Sequence, residues 1–187
     1  MKLAVTAWPA PLVVPASGLV VLRVCTPSGD DRTNARRLIR AALLDALGQL
    51  VPVPATLVQL PAKGLHVAGS DVGLSVSHAS GLSVCAINLH GAVGIDLMRL
   101  DDGEPCLPDW DIVARDYLGP AATRRIATVA VARRALCFAQ EWTQREAQLK
   151  LQGRGLTEWI AVQDHPCTTL GLDLPEGFVG AVSLPRD

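Results

Sequence analysis

The pattern of apolar runs predicts an α+β fold made of two halves, each a long helix packed on a small, mostly antiparallel sheet. Three observations carry this expectation. Short valine-rich runs recur between Pro and Gly turns, as strands do. Two longer stretches, 33–47 and 131–152, repeat apolar residues at helical spacing. A polar, proline-bearing stretch at 101–109 lies between them and marks the expected junction of an N-terminal half, 1–100, with a C-terminal half, 101–187. The halves echo each other in the order of their elements, without a residue-level repeat.

The first strand expected is 19–24 (LVVLRV). Pro27-Ser28-Gly29 forms a turn, and Asp30 or Asp31 is placed to cap the helix at 33–47. Ala35, Leu38, Ile39, Ala42, Leu43 and Ala46 give that helix its apolar stripe. Gly48 is expected to end it. Pro52 and Pro54 mark a loop, and 57–60 reads as a strand. Runs at 72–77, 82–89 and 92–97 follow, with 88–91 expected to join the last two as a hairpin. Beyond the junction come a helical stretch at 111–118, a break at Gly119-Pro120, and the long helix at 131–152, stopped by Gly153 and Gly155. Runs at 159–163, 168–172 and 178–184 read as closing strands.

Bulk properties exclude several function classes. Apolar residues make up 49% of the 187, enough for a substantial core, while the formal net charge of −1 gives no footprint for nucleic acid. Five scattered cysteines, Cys25, Cys85, Cys106, Cys137 and Cys167, form no zinc pattern and read as reduced thiols of a cytoplasmic protein. The apolar start of the chain has one lysine and is broken by Pro9, Pro11 and Pro15, so a secretory signal is not expected. No apolar run is long enough to span a membrane.

Chemistry concentrates in two segments. Val93-Gly94-Ile95-Asp96-Leu97-Met98 places an acid at the end of an apolar strand. In 142–150 (WTQREAQLK), Trp142, Glu146, Leu149 and Lys150 share one helix face. Taken singly, Glu146 and Lys150 read as an ordinary i,i+4 surface pair and Asp96 as a turn former. Together, two carboxylates and a lysine suit a Mg²⁺-dependent reaction on a pyrophosphate. Two further signals lie upstream. Ser77-His78 follows a strand, and Lys63 precedes Ser77 by fourteen residues. Alone, His78 reads as a loop histidine and Lys63 as a solvated charge.

Lys63, Ser77-His78, Gly94-Ile95-Asp96 and the run from Trp142 to Leu156 occur in an order and spacing that resemble the 4′-phosphopantetheinyl transferases. The resemblance spans roughly residues 60 to 160. It is to the larger, surfactin-synthetase-activating type, with both halves in one chain, which implies a monomer.

That resemblance implies transfer of 4′-phosphopantetheine from coenzyme A to a serine of an apo carrier protein, with release of 3′,5′-ADP. It implies Mg²⁺, with Mn²⁺ as a substitute, held by Asp96 and Glu146. Glu146 accepts the serine proton, and Lys150 holds phosphate or steadies the leaving group. Arg36, Arg37, Lys63, Ser77 and His78 contact the coenzyme A nucleotide. For Arg36 and Arg37 a solvated helix face is an equal reading. The implied carriers are those of fatty-acid, polyketide or nonribosomal-peptide synthesis.

Four departures stand out. Met98 stands where many relatives of this type carry a third acid, and a thioether is a poor Mg²⁺ ligand. Arg145 replaces a common lysine, Gly64 replaces a common proline, and the segment between the first strand and the first helix is short. The competing readings are a binding module of the same fold that does not turn over, and an unrelated α+β protein.

Overall fold

The structure, a computed structural model, describes residues 2–28, 32–51, 54–60, 64–100, 108–160 and 166–186. The expected junction at 101–109 falls mostly outside them, as do Lys63 and Cys106.

Two sheets and two long helices form the body. The first sheet runs β1 (Thr6–Ala7), β2 (Leu19–Cys25), β6 (Leu82–Asn88), β5 (Gly73–Ala79) in spatial order. It is antiparallel except for the parallel β1–β2 pair. The second is wholly antiparallel, ordered β7 (Gly94–Arg99), β9 (Phe178–Pro185), β8 (Cys167–Gly171). A small hairpin, β3 (Leu57–Leu60) with β4 (Gly64–Val67), stands apart.

Strand alternation decides what each face of the first sheet meets. Val20, Leu22, Val24, Cys85 and Ile87 face α1 (Arg32–Leu50), where Ile39, Ala42, Leu43, Ala46 and Leu47 are buried against them. Leu19, Val21, Leu82, Val84 and Ala86 point the other way, onto Val93, Ile95, Leu97, Leu172 and Val182 of the second sheet region. With partners on both faces, every residue of β6 is buried. Each fully buried Leu or Ile here stabilises the fold by about 1.5–3 kcal/mol.

On the far side of the second sheet lie α2 (Trp110–Val113), a π-helical turn (Ala114–Leu118), α3 (Gly119–Thr128) and α4 (Val131–Leu151). A third apolar cluster joins Ala114, Leu118, Ala122, Ile126 and Phe138 there. The N-terminal residues tie the two sheets together. Leu3 bridges to Leu172, Thr6 and Ala7 pair with β2, and Trp8 Nε1 donates to Asp45 of α1 at 2.9 Å.

Several expectations need correction. Residues 88–91 do turn, but β6 and β7 form no hairpin. Both edges of β6 are taken by β2 and β5, so β7 crosses to pair with β9. Gly48 does not end α1, which continues to Leu50, just before Pro52. Gly119-Pro120 ends one helical stretch and begins another, since proline suits a first helical turn. Trp159 and Ile160 form no strand. Sequence reading also missed β1 and β4.

Candidate active site

Gly94 decides where α4 lies. A Cβ there would collide with the Ala147 carbonyl oxygen and the Leu151 amide nitrogen, so only glycine lets the helix backbone rest on the strand. Ala139, Thr143 and Ala147, at four-residue spacing, are all fully buried and keep the helix thin on one side. Asp96 shares Gly94's face of β7 by strand alternation, while Ile95 and Leu97 point to the first sheet. Glu146 and Lys150 flank Ala147 on α4 and so arrive beside Asp96.

Lys150 Nζ lies 2.7 Å from Asp96 Oδ1, 3.1 Å from the Ile95 carbonyl and 3.5 Å from the Val76 carbonyl. An ammonium has three N–H donors, and these acceptors use all three. Lys150 thereby links α4 to β7 and, by the longest contact, to β5. The same seam is closed by two serines. Ser75 Oγ accepts from the Ile95 amide at 3.0 Å, and Ser77 Oγ accepts from the Leu97 amide at 3.2 Å. These are the N–H groups on the edge of β7 away from β9. Ser77 also donates to Asp96 Oδ1 at 2.8 Å. Both Asp96 and Ser77 are 7% exposed, so the carboxylate is held largely out of water.

Asp96 thus receives both its donors on Oδ1. Among the described residues Oδ2 has none, and Glu146 has neither hydrogen bond nor ion pair. The Glu146 carboxyl is half-buried, and its proton affinity is raised. Burial is the larger cause and the Asp96 charge the next, against smaller opposing effects of Lys150 and Arg145.

The two acids open on a cleft of about 960 Å³ lined also by Ser77, His78, Met98, Phe138 and Trp142. Its apolar wall is firmly packed. Trp142 stacks on Phe138 with centroids 5.7 Å apart and tilts against Tyr117 at 6.0 Å. A smaller pocket of about 260 Å³, beyond Lys150, includes Ser75, Arg154, Gly153 and Gly155.

An unsatisfied carboxylate oxygen beside an unpartnered carboxylate is a donor set for a hard divalent cation. Asp96 and Glu146 fit Mg²⁺, which commonly takes one or two protein carboxylates. Among the described residues no group of three His, Cys, Asp or Glu side chains gathers to hold a metal. Met98 packs with the third apolar cluster and lines the cleft.

The structure therefore brings together Asp96, Glu146, Lys150, Ser77 and His78. His78 is exposed at the cleft, with Nδ1 2.7 Å from Ser83 Oγ. Arg36 and Arg37 are exposed on α1, and neither lines the cleft. Arg37 donates to Asn34 Oδ1 at 2.8 Å. Lys63 lies outside the described residues. Sequence reasoning missed the Ser77–Asp96 bond and the roles of Phe138 and Gly94. The alternation of Ser75 and Ser77 along β5 was the available signal, although it does not name their partner.

Comparison with known proteins points to one family. Residues 92–176 match the 4′-phosphopantetheinyl transferase superfamily. That segment contains Asp96, Glu146 and Lys150 but not Ser77 or His78. The chain is also 27% identical over 169 residues to the 4′-phosphopantetheinyl transferase HetI of Nostoc sp. (strain PCC 7120), covering 81% of this chain and 69% of that protein. By a family match over its second half and by a relative aligned along most of its length, the chain is similar to the 4′-phosphopantetheinyl transferases.

Proposed function

We propose that the protein transfers the 4′-phosphopantetheine group of coenzyme A to a serine of an apo carrier protein, with Mg²⁺, releasing 3′,5′-ADP. The observation that carries this reading is the pair of acids at the cleft, Asp96 and Glu146, both within the segment that matches the superfamily; among the described residues Asp96 Oδ2 and the Glu146 carboxyl have no donor. The larger, single-chain type with two pseudo-symmetric halves, at 1–100 and 101–187, is part of the proposal. Two helix-on-sheet units in this chain support it, with β7 of the first half pairing into the second sheet.

The carrier serine oxygen bonds to the β-phosphorus, and the bond from that phosphorus to the oxygen of 3′,5′-ADP breaks. Bound by Asp96 and Glu146, Mg²⁺ would offset the charge that develops on the phosphoryl and bridging oxygens. Glu146 accepts the serine proton, directly or through a bound water. Lys150 fixes Asp96 and sets a positive charge next to the departing phosphate. His78 is placed at the cleft to meet the nucleotide. Ser77, Lys63, Arg36 and Arg37 complete the proposed coenzyme contacts. Mn²⁺ would substitute for Mg²⁺. Carriers of fatty-acid, polyketide or nonribosomal-peptide synthesis are the proposed partners, and the setting is a cytoplasmic monomer.

Intact-mass spectrometry of apo carrier proteins, incubated with the protein, coenzyme A and Mg²⁺, tests the reading. A chelator-sensitive gain of one phosphopantetheine is expected. Coenzyme A binding without any mass gain would favour a second reading, a binding module of the same fold. Met98, an apolar side chain at the cleft beside the two acids, is the observation behind it.

A further inference from the structure

The reading above leaves Ser77 with one role, contact with coenzyme A, yet its hydroxyl is already committed. Oγ donates to Asp96 Oδ1 at 2.8 Å and accepts from the Leu97 amide at 3.2 Å, in a position only 7% exposed. Lys150 converges on the same oxygen at 2.7 Å. We propose that Ser77 is a positioning residue for the metal site: its hydroxyl fixes the Asp96 carboxylate so that Oδ2 alone faces the cleft as a ligand.

A carboxylate at a strand position can rotate about its last side-chain torsion, which is broad and roughly two-fold. With one donor, Lys150, the group still pivots about that contact, because a single hydrogen bond to Oδ1 leaves the place of Oδ2 open. A second donor, anchored by the Leu97 amide of the same strand, removes that freedom. The hydroxyl proton is directed at Asp96 because the Leu97 N–H already occupies an acceptor site of Oγ. Outer partners of this kind orient metal ligands, and their loss typically costs about 10- to 100-fold in metal affinity.

Ser75 supplies an internal control. It lies two residues earlier on the same strand face and caps the Ile95 amide in the same way, at 3.0 Å. It makes no bond to Asp96. Loss of either hydroxyl removes one support from the seam between β5 and β7. Only loss of Ser77 frees the carboxylate.

This inference rests on the Asp96–Glu146 metal site, so its test reads metal directly. Mn²⁺ would be titrated into the full chain without coenzyme A, with free Mn²⁺ followed by its EPR signal. Thermal melts with chelator would measure stability in parallel. The expected result is a Mn²⁺ Kd about 10-fold or more weaker in Ser77→Ala. Ser75→Ala should match wild type in Kd, and Ser77→Thr should restore binding. In transfer assays, Ser77→Ala should raise the metal concentration for half-maximal rate more than it lowers the rate at saturating metal. Should Ser77→Ala not fold, Ser77→Cys, near in size but a weak donor, takes its place with the same expected Kd. Equal weakening in Ser75→Ala and Ser77→Ala, or wild-type binding in the Ser77 variant, overturns the inference alone. A wild-type protein that takes up no Mn²⁺ overturns both the metal reading and the inference built on it.

Discussion

The two long helices, α1 and α4, both cover one face of a small sheet, yet they do so by different means. Toward its sheet α1 turns Ile39, Leu43 and Leu47, bulky side chains that hold it off the strands by their own thickness. Beside Phe138 and Leu149, α4 buries a row of small side chains, Ala139, Thr143 and Ala147, and its backbone rests on Gly94. A helix held away by leucines contributes a core. One lying directly on a strand brings the roots of its flanking side chains to the strand's own level. Glu146 and Lys150 therefore reach Asp96 and the carbonyls of β5 and β7, whereas α1 carries its charges outward. Thin packing positions the chemistry, and thick packing supplies stability.

Breaking the working side of this comparison should have the largest effect. Glu146→Ala and Asp96→Asn should each lower phosphopantetheine transfer by about 1,000-fold or more, consistent with loss of a preorganised charge-stabilising group. Circular dichroism should show an unchanged fold, since the amide oxygen introduced by Asp96→Asn would still accept from Ser77 and Lys150. Activity within about tenfold of wild type in either variant would remove that residue from the chemistry.

Next comes the close approach itself. Gly94→Ala should cost about 1–3 kcal/mol in denaturant unfolding, because its methyl meets helix backbone that has no rotamer to yield. A shift of about 1 Å in α4 should lower transfer about 100-fold, with coenzyme A binding much less affected. Gly48→Ala sharpens the contrast. Gly48 lies within α1, is exposed, and a Cβ there meets nothing within 4 Å. That change should stabilise the protein by about 0.5–1 kcal/mol and leave transfer unchanged.

Much of this contrast was legible in the sequence. The spacing of Glu146 and Lys150 put them on one helix face, and the alternation of β7 put Asp96 opposite its apolar neighbours. What did not show was which strand each edge would meet. Residues 88–91 have turn chemistry, and the same residues serve a hairpin or a crossing to another sheet. The outcome depends on β2 and β5 taking both edges of β6, a matter of the whole sheet. Proline at 120 was similarly ambiguous, since it stops one helix and suits the first turn of the next. Gly94 read as part of a motif, but its physical reason, a helix backbone overhead, appears only when α4 is in place.

A smaller effect is expected at Met98. Met98→Glu should tighten Mn²⁺ binding severalfold by adding a carboxylate beside the two acids, with some loss of stability from the third apolar cluster. Unchanged Mn²⁺ affinity in a folded variant would place position 98 out of reach of the metal.

The smallest effect is in pH. Because the folded protein binds the Glu146 proton more tightly than an unfolded chain does, metal-free stability should fall as pH rises above the ordinary glutamate value of 4.5. In chelator, Glu146→Gln should flatten that decline in thermal melts, and a decline of equal slope in the variant would assign it to another group.

The bridge from Leu3 to Leu172 carries a consequence for biosynthesis. Translation is vectorial, so Leu3 must wait for a partner made long after it. Likewise β7 exposes its pairing edge until β9, some eighty residues later, has emerged to meet it. Native pairing of the second sheet, and with it the Asp96 site, therefore completes only after β9 has emerged. In the interval the β2–β6–β5 ribbon and α1 already have each other, while Leu172 and Val182, which cover the ribbon's other face, are still to come. A nascent chain halted before residue 178 would hold the helix-covered sheet and lack the site.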